Sequence, residues 1–189
     1  MISAILLTAG QSKRMNGENK LTKKIKGSPL IKLSVKNILA SSIDELIVVL
    51  GYQKEIIEKL IDKNEKIKFV FNKDFESGMA SSIKTGLNNL SEKTEAFFIC
   101  LGDMPMVNYD IYNQLIKSRS QKDILVPTYK NQQGNPVLFN KLMKEKIMTI
   151  TGDMGAKKIL ELNKDKILNL EVNDQSIIKN FNTLDDFNS

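Results

Sequence analysis

The sequence predicts an α/β fold, a mostly parallel sheet with helices on both faces. Three observations carry this. Apolar runs of strand length alternate with segments of helical spacing along the chain. Two of the runs, Leu46–Leu50 and Ala96–Leu101, are nearly continuous, as strands covered on both faces must be. No internal repeat, low-complexity tract or linker interrupts the alternation, so residues 1–189 are expected to form a single domain. A chain of that length removes about 70% of its unfolded surface from water, enough for a sizeable core.

The elements follow in order. Ser3–Thr8 is a short apolar strand. Ser28 and Pro29 read as the start of a helix reaching about Ala40, with Ser28 as cap and Pro29 at the first helical position, where its missing N–H costs nothing. Leu46–Leu50 is a strand, Lys54–Ile61 a helix, Lys68–Phe71 a strand and Ala80–Leu90 a helix. Ala96–Leu101 is the next buried strand, followed by a helix near Tyr109–Lys117. Ile124–Pro127 and Pro136–Phe139 are shorter strands, with helices at Asn140–Glu145 and Ala156–Leu162. Ile167–Val172 is a late strand, and Thr183 begins a short terminal helix. Thr128–Gly134 is the most loop-like interior segment, a candidate rim or lid.

Composition removes several function classes. No apolar run approaches the roughly 20 residues that span a bilayer. Ile2–Leu7 lacks the basic lead and the length of a secretory signal. Cys100 is the sole cysteine, which leaves no internal disulfide and suits a reducing cytoplasm. It sits inside an apolar run and reads as a small core residue rather than a nucleophile. With no histidine, imidazole catalysis, histidine triads and histidine zinc ligands are excluded. The excess of 28 Lys and Arg over 22 Asp and Glu suits an anionic partner. The lysines are scattered, however, and the chain has no Trp, so a stacking platform for bases is unsupported. Neither nucleic acid nor a membrane is an expected partner.

Chemistry concentrates in two segments. "LLTAGQSKRMNGENK" leaves the first strand at its carboxyl end, the edge where open parallel sheets bind ligands. Small Ala9, Gly10 and Ser12 let backbone N–H groups approach an anion, and Lys13, Arg14 and Lys20 add charge. One ammonium about 4 Å from a phosphate contributes roughly 4 kcal/mol at an effective dielectric of about 20, so several cations suit a triphosphate. Neither G-x-x-x-x-G-K-[ST] nor G-x-G-x-x-G fits, because Gly17 follows Gly10 by seven residues and precedes Glu18. A glycine-containing surface turn with solvated lysines is the plainer alternative. In "AFFICLGDMP" an apolar run ends at Gly102 and Asp103 projects from the same edge. A carboxylate there suits magnesium on triphosphate oxygens, with a cap for the next helix as the plainer alternative. Together the two segments make a sharper constellation than either alone.

Six segments then occur in a telling order: "LLTAGQSKRMNGENKL", "ESGMASSIKTGL", "CLGDMP", "GNPVLF", "GDMGAKKIL" and "NFNTLDDF". From Ile5 to Phe187 the chain resembles the nucleotidyltransferase-like family of small cofactor enzymes, most closely the molybdenum cofactor cytidylyltransferases. The resemblance implies a Rossmann-like three-layer sandwich of nucleotidyltransferase type, with CTP, magnesium and molybdenum cofactor as reactants. It implies that Thr8, Ala9, Gly10, Gln11, Ser12 and Gly102 line the nucleotide, together with Ser81 and Ser82 at a helix start. Arg14 and Lys20 would hold phosphates, and Asp103 would hold the metal. Asn135 and Asp153 would face the acceptor, with Asp153 competing for a role as cap of the helix after Gly155. Ala9 stands where guanylyltransferase relatives carry a second glycine, which favours cytosine. Met15, Met79, Met104 and Met154 fall inside the motifs but read as gap-filling apolar residues.

One stretch departs from the pattern. Related cytidylyltransferases read D-x-D-T-P-E-D near the C-terminus, whereas this chain reads Asn180-Phe181-Asn182-Thr183-Leu184-Asp185-Asp186. Asn182 falls at a metal position where guanylyltransferase relatives also place Asn. Asp186 reads as the partner of Thr183 in a capping-box-like turn. The activity implied is transfer of CMP from CTP to the terminal phosphate of molybdenum cofactor, the product serving a molybdenum hydroxylase apoenzyme. Use of GTP, another phosphate acceptor such as a sugar phosphate, or a non-catalytic cofactor carrier are the alternatives.

Overall fold

The computed structural model describes residues 1–12, 15, 18–119, 122–153 and 155–187. Its centre is β1 (Ile2–Leu7), in which Ala4, Ile5 and Leu6 are fully buried. β4 (Glu45–Leu50) and β6 (Ala96–Leu101) flank it in parallel register, with Ile5 opposite both Ile47 and Ile99. β5 (Ile67–Phe71) extends the sheet beyond β4. On the other side β9 (Val137–Asn140) runs antiparallel between β6 and β7 (Ile124–Tyr129), and β10 (Ile167–Glu171) pairs in parallel with β7. The strand order is β10-β7-β9-β6-β1-β4-β5, with β8 (Gln132–Gln133) attached to β7, giving a sheet of eight strands among the described residues.

Successive side chains of a strand point to opposite faces, so continuous apolar strands require two cores. On one face Ala4, Leu6, Leu46, Val48, Phe98 and Cys100 meet α1 (Leu30–Leu39), α2 (Lys54–Leu60) and α4 (Tyr109–Lys117). On the other, Ile5, Ile47, Val49, Phe97 and Ile99 meet α3 (Met79–Asn88), α5 (Lys144–Ile147) and α6 (Ala156–Leu162). This is the three-layer α/β arrangement. Phe97 stacks on Phe139 across the β6–β9 pair at 5.7 Å, and Phe98 meets Tyr112 of α4 edge-on at 5.3 Å, joining sheet to helix layer. Among the described residues no helix is long and apolar enough to cross a membrane.

Several local expectations change. Ser28–Pro29 do not open a helix. They form β3, which pairs with β2 (Lys24–Ile25) across Lys26 and Gly27, at φ 48° and 83°. Positive φ at both central residues is what a tight hairpin demands, and Lys-Gly supplies it. α1 begins only at Leu30, whose N–H donates to the Lys23 carbonyl at 2.8 Å, and Pro29 offers no side-chain cap. Thr128–Gly134 is not a loose lid either. β7 runs on to Tyr129, turns at Lys130 and Asn131 (φ 49° and 65°), and returns as β8. Asn140 caps a short 3-10 turn, Lys141–Met143, ahead of α5, so the helix expected at Asn140–Glu145 is split. The terminal helix is a 3-10 turn, Leu184–Phe187.

Cys100 lies within the core, and its burial pushes the thiol up to about 12, with a hydrogen bond to Tyr112 opposing the shift. A raised thiol pKa stabilises the fold fully below the ordinary value of 9.0 and progressively less as pH rises through the window from there to about 12. At pH 8 a thiol-specific disulfide reagent is therefore expected to label Cys100 only as fast as the protein unfolds. Rapid labelling of the native protein would show that the thiol is reachable.

Candidate functional site

The chain leaves β1 toward β4 and β5, then returns to β6 on the opposite side of β1. Loops leaving β1 and β6 therefore part, and a crevice opens beyond their carboxyl ends. A cavity of about 410 Å³ lies there. Thr8, Ala9, Gly10, Gln11 and Ser12 line one wall, with Gly102 and Asp103 beside them. The Thr8 N–H and hydroxyl both donate to the Val49 carbonyl, at 3.1 and 2.7 Å, and the Gly102 N–H donates to Leu7 at 3.1 Å. Ala9 packs so tightly on β4's end that a Cβ on Gly51 would stand 2.5 Å from the Ala9 methyl. Its two chain neighbours aside, no described atom lies within 4 Å of where a Cβ on Gly10 would sit, so the backbone there faces open space.

Charge enters through Lys20. Asn19 accepts the Leu21 N–H at 3.1 Å, fixing the 3-10 turn Lys20–Thr22, and the Lys20 N–H donates to Ser12 Oγ at 3.2 Å. The Lys20 side chain reaches Asp103 Oδ2 at 2.5 Å and Asn182 Oδ1 at 2.8 Å. Lys20 is only 19% exposed and Asp103 13%, so neither charge is left to bulk water. Asn182 arrives on the C-terminal segment, which is tied down twice. The Phe181 N–H donates to the Asp103 carbonyl at 2.9 Å. Asp186 accepts from the Asn182 and Thr183 N–H groups, both at 2.7 Å, and from the Thr183 hydroxyl at 3.0 Å. Those backbone donors, Thr183 first, hold the Asp186 carboxyl below its ordinary value. The capping pair expected of Thr183 and Asp186 is present.

The third wall comes from the start of α3 and the turn before it. Ser82 lines the cavity, whereas Ser81 turns away, within reach of the Asp74 and Gly78 carbonyls at 2.9 and 2.8 Å. Buried Asn72 holds both serines, donating at 2.8 and 3.0 Å. Phe75, Glu76, Gly78 and Met79 also face the cavity, and Gln11 donates to Glu76 at 3.1 Å. Sequence reasoning missed these four and Asn72. The signal was the Gly78 that precedes the helix, since it sits at φ 109° with its Cα against Gly152. Met79, expected as core filling, is 39% exposed and borders the cavity, unlike buried Met15 and Met104.

Asp153 lines the same cavity, and α6 starts at Ala156 behind Gly155, an N-cap with no side chain to offer. The Gly152 carbonyl accepts the Ala80 N–H of α3 at 3.0 Å. Asn135 is not brought to this cavity. It borders a separate hollow of about 660 Å³ with Gln133, Lys157 and Asn169. Arg14 and Met154 lie outside the described residues.

Among the described residues no group of three or more acidic, cysteine or histidine side chains gathers to bind a metal. Asp103 and Asn182 do present two hard oxygens to one cationic position, now taken by the Lys20 ammonium. That donor set fits magnesium, which binds through one or two protein oxygens plus substrate phosphates.

Gly78 offers a direct test of the third wall. An alanine Cβ would meet the Gly152 carbonyl carbon and oxygen at 2.5 Å, at a φ that L-residues resist. Gly78→Ala is expected to cost about 1–3 kcal/mol, read from the urea midpoint. An unchanged midpoint would mean that the 152–153 turn moves away freely.

Comparison with known proteins places this geometry in context. Residues 4–168 match the family model of the MobA-like NTP transferase domain. The molybdenum cofactor cytidylyltransferase of Escherichia coli is 26% identical over 98% of this chain and 93% of its own length. A probable molybdenum cofactor guanylyltransferase of Methanosarcina mazei is 28% identical over 77% of this chain and 66% of its own. The bifunctional protein GlmU of Thermosipho africanus is 30% identical over 86% of this chain, which spans only 36% of that longer protein. In fold, the chain superposes on Rv0371c from Mycobacterium tuberculosis with a TM-score of 0.88 at 21% identity, covering 99% and 95% of the two chains. The manganese complex of Rv0371C aligns with a TM-score of 0.83 at 19% identity, covering 99% and 96%.

Proposed function

This chain belongs to the MobA-like NTP transferase family, and we propose that it transfers CMP from CTP to the terminal phosphate of molybdenum cofactor, releasing pyrophosphate. The observation that carries the reading is the convergence of the 8–12 loop, Lys20, Asp103 and Asn182 on one cavity at the switch point of the sheet. Its wall of small residues admits backbone N–H groups to phosphate oxygens, and Lys20 is the described cation within reach. The resemblance at Ala9 supports cytosine over guanine. Ala9 stands where guanylyltransferase relatives carry a second glycine, and its methyl packs against Gly51.

An oxygen of the acceptor phosphate attacks the α-phosphorus, and the new P–O bond forms as the bond to the bridging oxygen of pyrophosphate breaks. The attacking oxygen is already ionised, so no protein group need remove a proton. Catalysis then rests on positioning and on neutralising charge that builds on the leaving pyrophosphate. Lys20 supplies that neutralisation once it turns from Asp103 to the phosphates, and the loop N–H groups hold the triphosphate in line. Asp103 and Asn182 would hold magnesium, which supplies further charge compensation at the phosphate oxygens. Asp153 and Ser82 face the same space and would orient the substrates. The product, a cytosine dinucleotide form of the cofactor, suits a molybdenum hydroxylase apoenzyme as recipient.

A second reading, GTP as donor, is favoured by Asn182 and by the guanylyltransferase relative. Incubation with molybdopterin, magnesium and each nucleoside triphosphate in turn separates the readings. CTP is expected to release pyrophosphate far faster than GTP, and equal or faster release with GTP would overturn the choice of base. A protein that only carries the cofactor would release none.

Two variants probe the charges. Lys20→Ala removes a charge-assisted contact that strengthens as pyrophosphate leaves, a loss on the order of 1.5–3 kcal/mol. Turnover should fall roughly 10- to 150-fold. Asn182→Asp adds a carboxylate beside Asp103 and should lower the magnesium concentration at half-maximal rate. An unchanged magnesium dependence would leave Asn182 as a shaper of the turn before Thr183.

A further inference from the structure

We propose that Lys20 is the resident counter-ion of the metal position, so that a divalent cation enters between Asp103 and Asn182 only together with the nucleoside triphosphate. This rests on reading the cavity as a nucleotide site.

The geometry makes Lys20 and a metal ion competitors. The ammonium stands 2.5 Å from Asp103 Oδ2 and 2.8 Å from Asn182 Oδ1, so it uses the same two oxygens that a cation would need. No acidic cluster among the described residues could hold both cations at once. Asp186, a further carboxylate that feels the Lys20 charge, is occupied by the N–H groups of Asn182 and Thr183. Glu18, in the same loop, is paired with Lys23. A dication arriving alone must break the Lys20–Asp103 pair and strand a largely buried ammonium beside another positive charge, the costly way to open such a pair.

A triphosphate reverses the balance. It brings several negative charges, gives Lys20 a new partner among the phosphate oxygens, and completes the oxygen shell of the ion. Lys20 then moves from Asp103 to the phosphates as the cation takes its place, and each charge stays paired throughout. The site thus avoids holding a loose metal ion, and it selects the metal–nucleotide pair over either component.

The test is direct binding of Mn²⁺ to the full chain, read from the electron-spin signal of the free ion, with and without a CTP analogue whose α,β-bridge is methylene. Wild-type protein is expected to bind Mn²⁺ at least tenfold more tightly with the analogue than without it. Lys20→Met and Lys20→Gln should bind Mn²⁺ alone at least tenfold more tightly than wild type. Adding Asp103→Asn to Lys20→Met should erase that gain, which locates the ion. Equal Mn²⁺ affinity for wild type and both Lys20 variants would overturn the counter-ion role. An analogue that leaves wild-type affinity unchanged would overturn the coupling to nucleotide. The metal-only arm involves neither acceptor nor base. If no nucleoside triphosphate releases pyrophosphate yet the Lys20 variants gain Mn²⁺ affinity, the proposed reaction falls and the counter-ion role stands. If turnover is as proposed and the gain is missing, the reverse holds.

Discussion

The contact of Lys20 with Asp103 and Asn182 is the constraint on which the rest of this site depends. These partners are separated from Lys20 by 83 and 162 positions in the chain, yet they meet within 2.8 Å. A mostly buried ammonium and carboxylate tolerate each other's company far better than isolation, because neither can recover its lost hydration. Every element that holds one partner therefore also holds the others. The turn capped by Asn19 aims Lys20, the end of β6 presents Asp103, and the segment bound by Asp186 delivers Asn182.

The sheet supplies the space in which this can happen. Two cores on opposite faces fasten β1 and β6 side by side, and the reversal of direction at that pair parts the loops above them. Close backbone approach keeps the walls in place. A Cβ on Gly102 would stand 2.9 Å from the Leu7 carbonyl, and one on Gly51 would strike Ala9. Rigid walls matter for the proposed transfer between two phosphates, which requires positioning more than proton chemistry.

The C-terminal segment closes the arrangement. Phe181 rests edge-on against Phe187 at 5.2 Å, and the Phe181 N–H bonds directly to Asp103. The Asn182 side chain that meets Lys20 and the backbone that positions it are thus coupled in one short stretch. Substitutions at Asp186, which faces N–H groups rather than the cavity, would act on the site through Asn182.

Much of this was legible in the sequence because it is local or periodic. Apolar runs at strand length, such as Ala96–Leu101, announce burial on both faces whatever their neighbours are. The loop after β1 and Asp103 after β6 were readable because a parallel sheet exposes all its carboxyl ends on one edge. The hairpins at Lys26-Gly27 and Lys130-Asn131 were missed, since positive φ at lysine reflects what the flanking strands require and not a preference of the residue itself. Phe75 and Asn72 carried no motif, Glu76 opened one without being read as a site residue, and all three joined the site only because α3 packs where it does. Asn135 and Ser82, both read as site residues, ended up bordering different hollows, which strand order decides and spacing does not. By itself the sequence determined the layers, the edge and the reactive residue types, since these follow from burial and chain direction. Which side chains touch, and above all that Lys20 fills the place between Asp103 and Asn182, was decided by the tertiary structure, because only packing brings residues 20, 103 and 182 to one point.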